Sequence, residues 1–305
     1  MQLVMTSAEE GLLLRDYLFK KQKLSTRTVK QLKYSEDGLL VNGSRVTVRY
    51  TLHAGDMLTL GLEETQMTEK IAPVDLPIDI LYEDDDLIVP SKPANMPTHP
   101  SHDHYYDTVA NALVYRYAQK NIPFLFRPVN RLDRDTSGLL LVARNRLSSC
   151  RLNESMRKGQ IHKTYLAILE GHPAEDGGVI DTYMKRTDES IIVRRTCGAD
   201  EGGEHAVTRF RVLARLPDGF SLVEASPLTG RTHQLRVHFA HIGHPIVGDG
   251  LYGHAHPDMP RQALHSHTLT FPHPTDGRIL SLTSPLPTDM RHFLDLHGVE
   301  TAPGT

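Results

Sequence analysis

Two carboxylates and two guanidiniums crowd the run Asn130-Arg131-Leu132-Asp133-Arg134-Asp135-Thr136-Ser137-Gly138. The run leads directly into Leu139-Leu140-Leu141-Val142-Ala143, five apolar residues that read as a fully buried strand. A carboxylate at the mouth of such a strand can be held ionised by a neighbouring guanidinium and still face a cavity. Taken alone, the run reads equally well as a salt-bridged surface turn. Two more clusters bear on the choice. Lys163-Thr164-Tyr165 opens a strand after the basic stretch Arg157-Lys158-Gly159. Further on stands Leu228-Thr229-Gly230-Arg231-Thr232-His233-Gln234-Leu235-Arg236-Val237-His238, where Gly230 permits close backbone approach. Thr229 to Thr232 are expected to open a helix over Arg231 to His241, with N-terminal amides that favour an anion. Arg231 at that end could supply a fixed counter-charge. In isolation Tyr165 is a core tyrosine and Arg231 a structural ion pair.

The elements around these clusters are strand-rich. Ile78 to Tyr82 and Leu87 to Val89 bracket the acidic turn Glu83-Asp84-Asp85-Asp86, a hairpin leading into Lys92-Pro93. Thr108 to Lys120 has helical spacing through Val109, Leu113 and Tyr117. Strand-like runs recur at 164–169, 191–193, 206–213 and 221–225. Few helices alternate with them, which argues for α+β architecture and against a doubly wound sheet.

Composition bounds the rest. A chain of 305 residues suits two domains. Hydrophobic residues make up 39% and charged residues 23%, as in an ordinary soluble protein, and no apolar stretch approaches membrane-spanning length. The first residues lack a signal-peptide pattern, and Cys150 and Cys197 are the two cysteines, so a reducing cytoplasm is expected. With a net charge of −3, a nucleic-acid partner would have to be held by local basic patches.

The polar stretch Glu63 to Lys70, followed by Pro73 and Pro77, marks a boundary. We divide the chain into a module at 1–65, a linker at 66–76 and a larger domain at 77–300. Leu12, Leu13, Asp16, Tyr17 and Leu18 outline a short helix, and Ser25 or Thr26 caps a second one through Tyr34. Asn42-Gly43 joins Leu39-Leu40-Val41 to an expected strand Val46 to Tyr50, and Leu52 to Leu60 supplies another, interrupted at Gly55-Asp56. Across the helices lie Arg15, Lys20, Lys21, Lys23, Arg27, Lys30 and Lys33, a candidate phosphate-binding face whose alternative is a solvated surface. Residues 10–60, with "VNG" and "L.AGD.L" patterns, resemble the small S4-like (alpha-L) RNA-binding module.

Over residues 76–290 the chain resembles the Rlu-type RNA pseudouridine synthases. Arg131 to Gly138 match their signature turn, Lys163-Thr164-Tyr165-Leu166-Ala167 their "K.Y.A" strand, and Thr229 to His238 their "TGR.HQ.R.H" segment. That segment continues into Gly243-His244-Pro245-Ile246-Val247-Gly248-Asp249, and four motifs stand in the family's order. Asn130 stands where the family usually has histidine, as in a subgroup that reads "VNRLD". The resemblance implies a catalytic fold with a central mixed, mainly antiparallel sheet. It implies isomerisation of specific uridines in structured RNA, in large-subunit ribosomal RNA or alternatively transfer RNA, with neither metal nor organic cofactor. It further implies Asp133 as the catalytic carboxylate, Tyr165 as the tyrosine against the target base, Arg231 as the arginine paired with Asp133, and Arg131 as the residue that fills the space the uridine leaves. A monomer is expected.

Readings of other classes compete. Asp133-x-Asp135-Thr136 imitates the nucleophile motif of Mg-dependent aspartyl phosphatases. There an apolar strand precedes the motif; here Asn121 to Pro128 precede it, broken by Pro123 and Pro128. Among 18 histidines, His99, His102 and His104 beside Asp103 suggest a zinc site, with His254, His256, His265 and His267 further on. Pro100 and the lack of helical or strand register favour a loop of solvated histidines. A non-catalytic RNA-binding protein would have no use for Asp133, Tyr165 and Arg231 together.

Overall fold

The computed structural model describes residues 2–35, 37–61 and 71–299. The linker expected at 66–76 therefore lies partly outside the described residues. Two sheets divide the chain. The small module runs β1 (Gln2–Val4), α1 (Leu14–Asp16) continuing into a π-helical turn (Tyr17–Lys21), α2 (Thr26–Tyr34), β2 (Leu39–Val41), β3 (Ser44–Arg45) and β4 (Met57–Leu60). Its strands form a four-stranded sheet in the order β1-β4-β2-β3. Ser25 caps α2 by accepting from the Thr28 amide at 3.1 Å. Asn42 and Gly43 both have positive φ, 50° and 79°, the backbone a two-residue hairpin turn requires. The strand expected at Val46 to Tyr50 is not formed beyond Ser44–Arg45. The carbonyls of Val48 and Tyr50 instead accept from the amides of Arg15 and Leu14, satisfying the start of α1.

The larger unit comprises β5 (Asp79–Glu83), β6 (Leu87–Lys92), α3 (Val109–Gln119), β7 (Arg127–Pro128), β8 (Ser137–Leu139), β9 (Val142–Ala143), α4 (Arg146–Arg157), β10 (His162–Glu170), β11 (Gly177–Thr187), β12 (Ser190–Cys197), β13 (Glu204–Leu216), β14 (Phe220–Pro227), α5 (Gln234–His241), β15 (Leu264–Pro272), β16 (Ile279–Thr283) and α6 (Thr288–Leu296). They build one sheet in the order β12-β11-β13-β14-β10-β15-β8-β6-β9-β7, with β16 on β15 and β5 on β6. The β8–β15 pair is parallel and the other pairings are antiparallel. The architecture is α+β with a mixed, mainly antiparallel sheet.

Leu139 to Ala143 are fully buried, as expected, but form two short strands. At the break the Leu140 amide donates to Pro90 O and the Leu141 amide to Asn130 Oδ1, so both find partners off the ladder. Helices α5 and α6 pack Leu235, Phe239, Met290 and Phe293 onto β10 and β14. Helix α4 joins the two units: its Leu147 is buried in the core of the small module, and its Arg151 donates to Gln22 Oε1 at 2.5 Å.

Candidate active site

Parallel pairing of β8 with β15 fixes where the acidic turn sits. Gly138 has φ +105°, and a Cβ there would stand 2.2 Å from Ser266 O, so the approach requires glycine. Lys92, 1% exposed, donates to the carbonyls of Pro93, Met96 and Arg134 at 2.9, 2.8 and 2.7 Å, while burial pushes its pKa down to about 7. Thr98 Oγ1 donates to Leu132 O at 2.9 Å and accepts the Leu132 amide at 3.2 Å. Arg261, ion-paired with Asp289, donates to Asp135 O at 3.0 Å. Asn130 accepts from Leu141 at 2.7 Å, and its Nδ2 is buried without a partner among the described residues. The charges of the turn sort themselves: Arg134 pairs with Asp135 at 3.0 Å, and Arg131 is exposed at the cavity wall. Asp133 is left for another partner.

That partner is Arg236, not Arg231. Helix α5 begins at Gln234, later than the expected start at Arg231, because His233 adopts left-handed backbone with φ +59°. Residues 229–232 form a turn held by Gln234, whose Oε1 accepts from the Arg231 amide and Thr229 Oγ1 and whose Nε2 donates to Val207 O. From that turn Arg231 extends along β13, donating to His205 O at 3.0 Å and pairing with Glu204 at 2.8 Å. Arg236, inside α5, reaches Asp133 Oδ2 with Nη1 at 3.5 Å. Its Nε and Nη2 grip Asp249 at 2.6 and 2.7 Å, a bidentate pair whose carboxylate is fully buried. Burial opposes the charge of Arg236, but the Asp249 hydrogen bonds and the charges of Asp249 and Asp133 outweigh it and raise its pKa.

The two walls enclose a cavity of about 470 Å³, lined among others by Arg131, Asp133, Tyr165, Arg231, His233 and Arg236. Tyr165 stands on β10, opposite Ala225 and Ser266, where the register with β15 shifts. Burial pushes its phenol up to about 12, helped by the charge of Asp133, so it stays protonated near neutral pH. Lys163 lines the same cavity, its pKa lowered by burial. Both contacts to Asp133 fall on Oδ2: Arg236, and His233 Nε2 at 3.9 Å. Oδ1 makes no hydrogen bond among the described residues. A carboxylate with one oxygen secured and the other facing a cavity walled by a phenol can act as base or nucleophile on a flat ring.

The remaining candidates lie elsewhere. Among the described residues, no group of three or more His, Cys, Asp or Glu stands close enough to hold a metal ion. His99 packs on Phe126, His102 and His104 pair with Asp103 and Asp107, and His265 is buried against Ser137 and Ser284 O. On the small module, Lys20 pairs with Asp16 and Lys21 with Glu9, leaving Arg15, Lys23, Lys30 and Lys33 exposed and without ion pairs among the described residues. The Arg27 side chain lies outside the described residues. Sequence reasoning missed Arg236 and Asp249 as a pair, although both stood inside quoted motifs.

The family described as RNA pseudouridylate synthase matches residues 86–241. An uncharacterized RNA pseudouridine synthase of Bacillus subtilis is 38% identical over 271 residues, covering 89% of this chain and 94% of its own. The ribosomal large subunit pseudouridine synthase D of Nitrosomonas europaea is 35% identical, covering 83% and 75%. Among solved structures, human RNA pseudouridylate synthase domain containing 1 has a TM-score of 0.56 at 31% identity, covering 68% of this chain and 83% of its own.

Proposed function

The chain belongs to the RNA pseudouridylate synthase family and is an RNA pseudouridine synthase; from that premise we propose that it modifies specific uridines of large-subunit ribosomal RNA with Asp133 as the reacting carboxylate. The observation that carries the reading is the Asp133–Arg236 pair, set in a cavity walled by Tyr165.

Isomerisation breaks N1–C1′, turns the base, joins C5 to C1′ and removes the C5 proton. It includes no redox step and no net hydrolysis, so it calls for neither a metal nor an organic cofactor. Arg236 orients Asp133, and Tyr165 packs against the base as a neutral phenol. Extrusion of the uridine costs roughly a few kcal/mol. Arg131, exposed beside the cavity, is suited to fill the vacated stack with its planar guanidinium. The small module is read as S4-like and supplies phosphate contacts through Arg15, Lys23, Lys30 and Lys33. We place the enzyme in the cytoplasm as a monomer. Relatives named for the ribosomal large subunit favour that RNA over transfer RNA.

Pseudouridine mapping in cells with and without the protein tests the target. One or a few large-subunit sites should revert to uridine without the protein and return with the wild-type gene. Loss confined to transfer RNA would move the substrate there, and an unchanged map would overturn the reading.

A further inference from the structure

A chain of polar contacts reaches Asp133 from the edge strand β12. The Arg194 amide donates to the Tyr252 hydroxyl oxygen at 2.9 Å, and that oxygen stands 2.8 Å from His233 Nδ1. Because that oxygen already accepts from the Arg194 amide, Nδ1 is the acceptor within reach of the hydroxyl's own proton among the described residues. An imidazole that accepts at Nδ1 carries its proton on Nε2 when neutral. Nε2 is the atom facing Asp133, 3.9 Å from Oδ2.

Tyr252 is itself held firmly. Its amide donates to Asp249, the Arg236 guanidinium lies 5.0 Å from its ring centroid, and the His233 ring meets it edge to face. One tyrosine thus underlies both groups that face Asp133 Oδ2. The backbone of His233 points the same way: φ +59° is costly for a residue other than glycine and is kept where it aims the imidazole into the cavity. Asp133, Asp249, Arg194, Arg236 and Tyr252 surround the ring, and burial leads in lowering its pKa.

We propose that His233 is a positioning residue: a neutral imidazole, locked by Tyr252 with its proton on Nε2, that closes onto Asp133 Oδ2 and turns Oδ1 toward the uridine. The present 3.9 Å is longer than a hydrogen bond, so a short movement on substrate entry completes the contact. No proton is transferred; the donor only fixes the position of the carboxylate. The inference rests on Asp133 being the reacting carboxylate.

Nitrogen NMR of the full chain with ¹⁵N-labelled histidine reads the tautomer directly, the His233 signals being assigned by their loss in His233→Gln. Near neutral pH they should report a neutral ring protonated on Nε2, and Tyr252→Phe should abolish that preference. In single-turnover assays Gln, whose amide reaches as far as Nε2, should stay within about fivefold of wild type, while His233→Leu, with the same backbone cost, should lose roughly 30-fold. RNA affinity should change less than about twofold in both, since phosphate contacts elsewhere dominate it. A protonated or Nδ1–H ring, or equal losses for Gln and Leu, with Asp133→Asn inactive, would overturn the proposal alone. Turnover retained in Asp133→Asn would overturn it together with the reading beneath it.

Discussion

Arg236 serves two carboxylates at once, and the energetics of the two are unequal. The Asp249 pair is buried and bidentate, so removing its cation strands a charge at a cost of roughly 3–5 kcal/mol. Asp133 sits at the cavity and receives a single 3.5 Å contact. Lysine at 236 keeps the charge but cannot span both carboxylates in one plane. Arg236→Lys should therefore lower kcat by about 100-fold through misplacement of Asp133 and also depress the melting temperature. Arg231 makes a half-exposed pair with Glu204, and Arg231→Ala should change stability by no more than about 1 kcal/mol. Its effect should fall on KM for RNA, not on kcat. Equal kcat losses in the two variants would restore Arg231 to the carboxylate. Both arginines were visible in one motif; what the motif could not show was the left-handed residue between them, which delays the helix and sends Arg231 away.

The elements that carry the site were legible where their signals were local. Asn42-Gly43, the acidic turn 83–86 and the Ser25 cap of α2 all read directly, because turn and cap chemistry is set within a few residues. Helix α4 was not read, since it buries Leu147, Ser148 and Leu152 and is polar apart from these, Cys150 and Met156, and its packing partners come from another part of the chain. Helix α5 hides a further consequence in His238, which is fully buried with neither ring nitrogen hydrogen-bonded among the described residues. Burial lowers its pKa from 6.5 to about 4, and that of His265 on β15 likewise to about 4. Between those values the unfolded chain binds the protons that the folded chain refuses, so stability falls as pH drops from about 6.5 toward 4. Each histidine contributes up to about 3 kcal/mol to that loss. Denaturant titrations near pH 7 and near pH 4.5 should show it, and His238→Phe should flatten the decline. An unchanged acid slope in that variant would place the loss elsewhere.

Across the whole molecule, α4 ties the small module to the large sheet, through Leu147 in the module's core and Arg151 on Gln22. If, as we propose, the exposed cations of the small module hold RNA, that RNA is bound by the same body that carries the cavity. Changing Arg15, Lys23, Lys30 and Lys33 to glutamine should weaken RNA binding and reduce the salt slope, by up to roughly 0.7–0.9 for each phosphate left without its cation. Turnover at saturating RNA should be preserved, and an unaltered slope would make the cluster a solvated face. The sequence carried both sheets in outline, whereas the docking of one on the other depends on side chains far apart in the chain, such as Gln22 and Arg151. The claim on which all of this depends is that Asp133 performs the isomerisation. Tritium release from RNA labelled at uridine C5 follows the proton that must leave as C5 joins C1′. Asp133→Asn keeps the size and hydrogen-bonding capacity of the side chain while removing its charge, and we predict a folded protein that releases no detectable tritium. Release within about tenfold of wild type, a loss of under about 1.4 kcal/mol in transition-state stabilisation, would contradict the account.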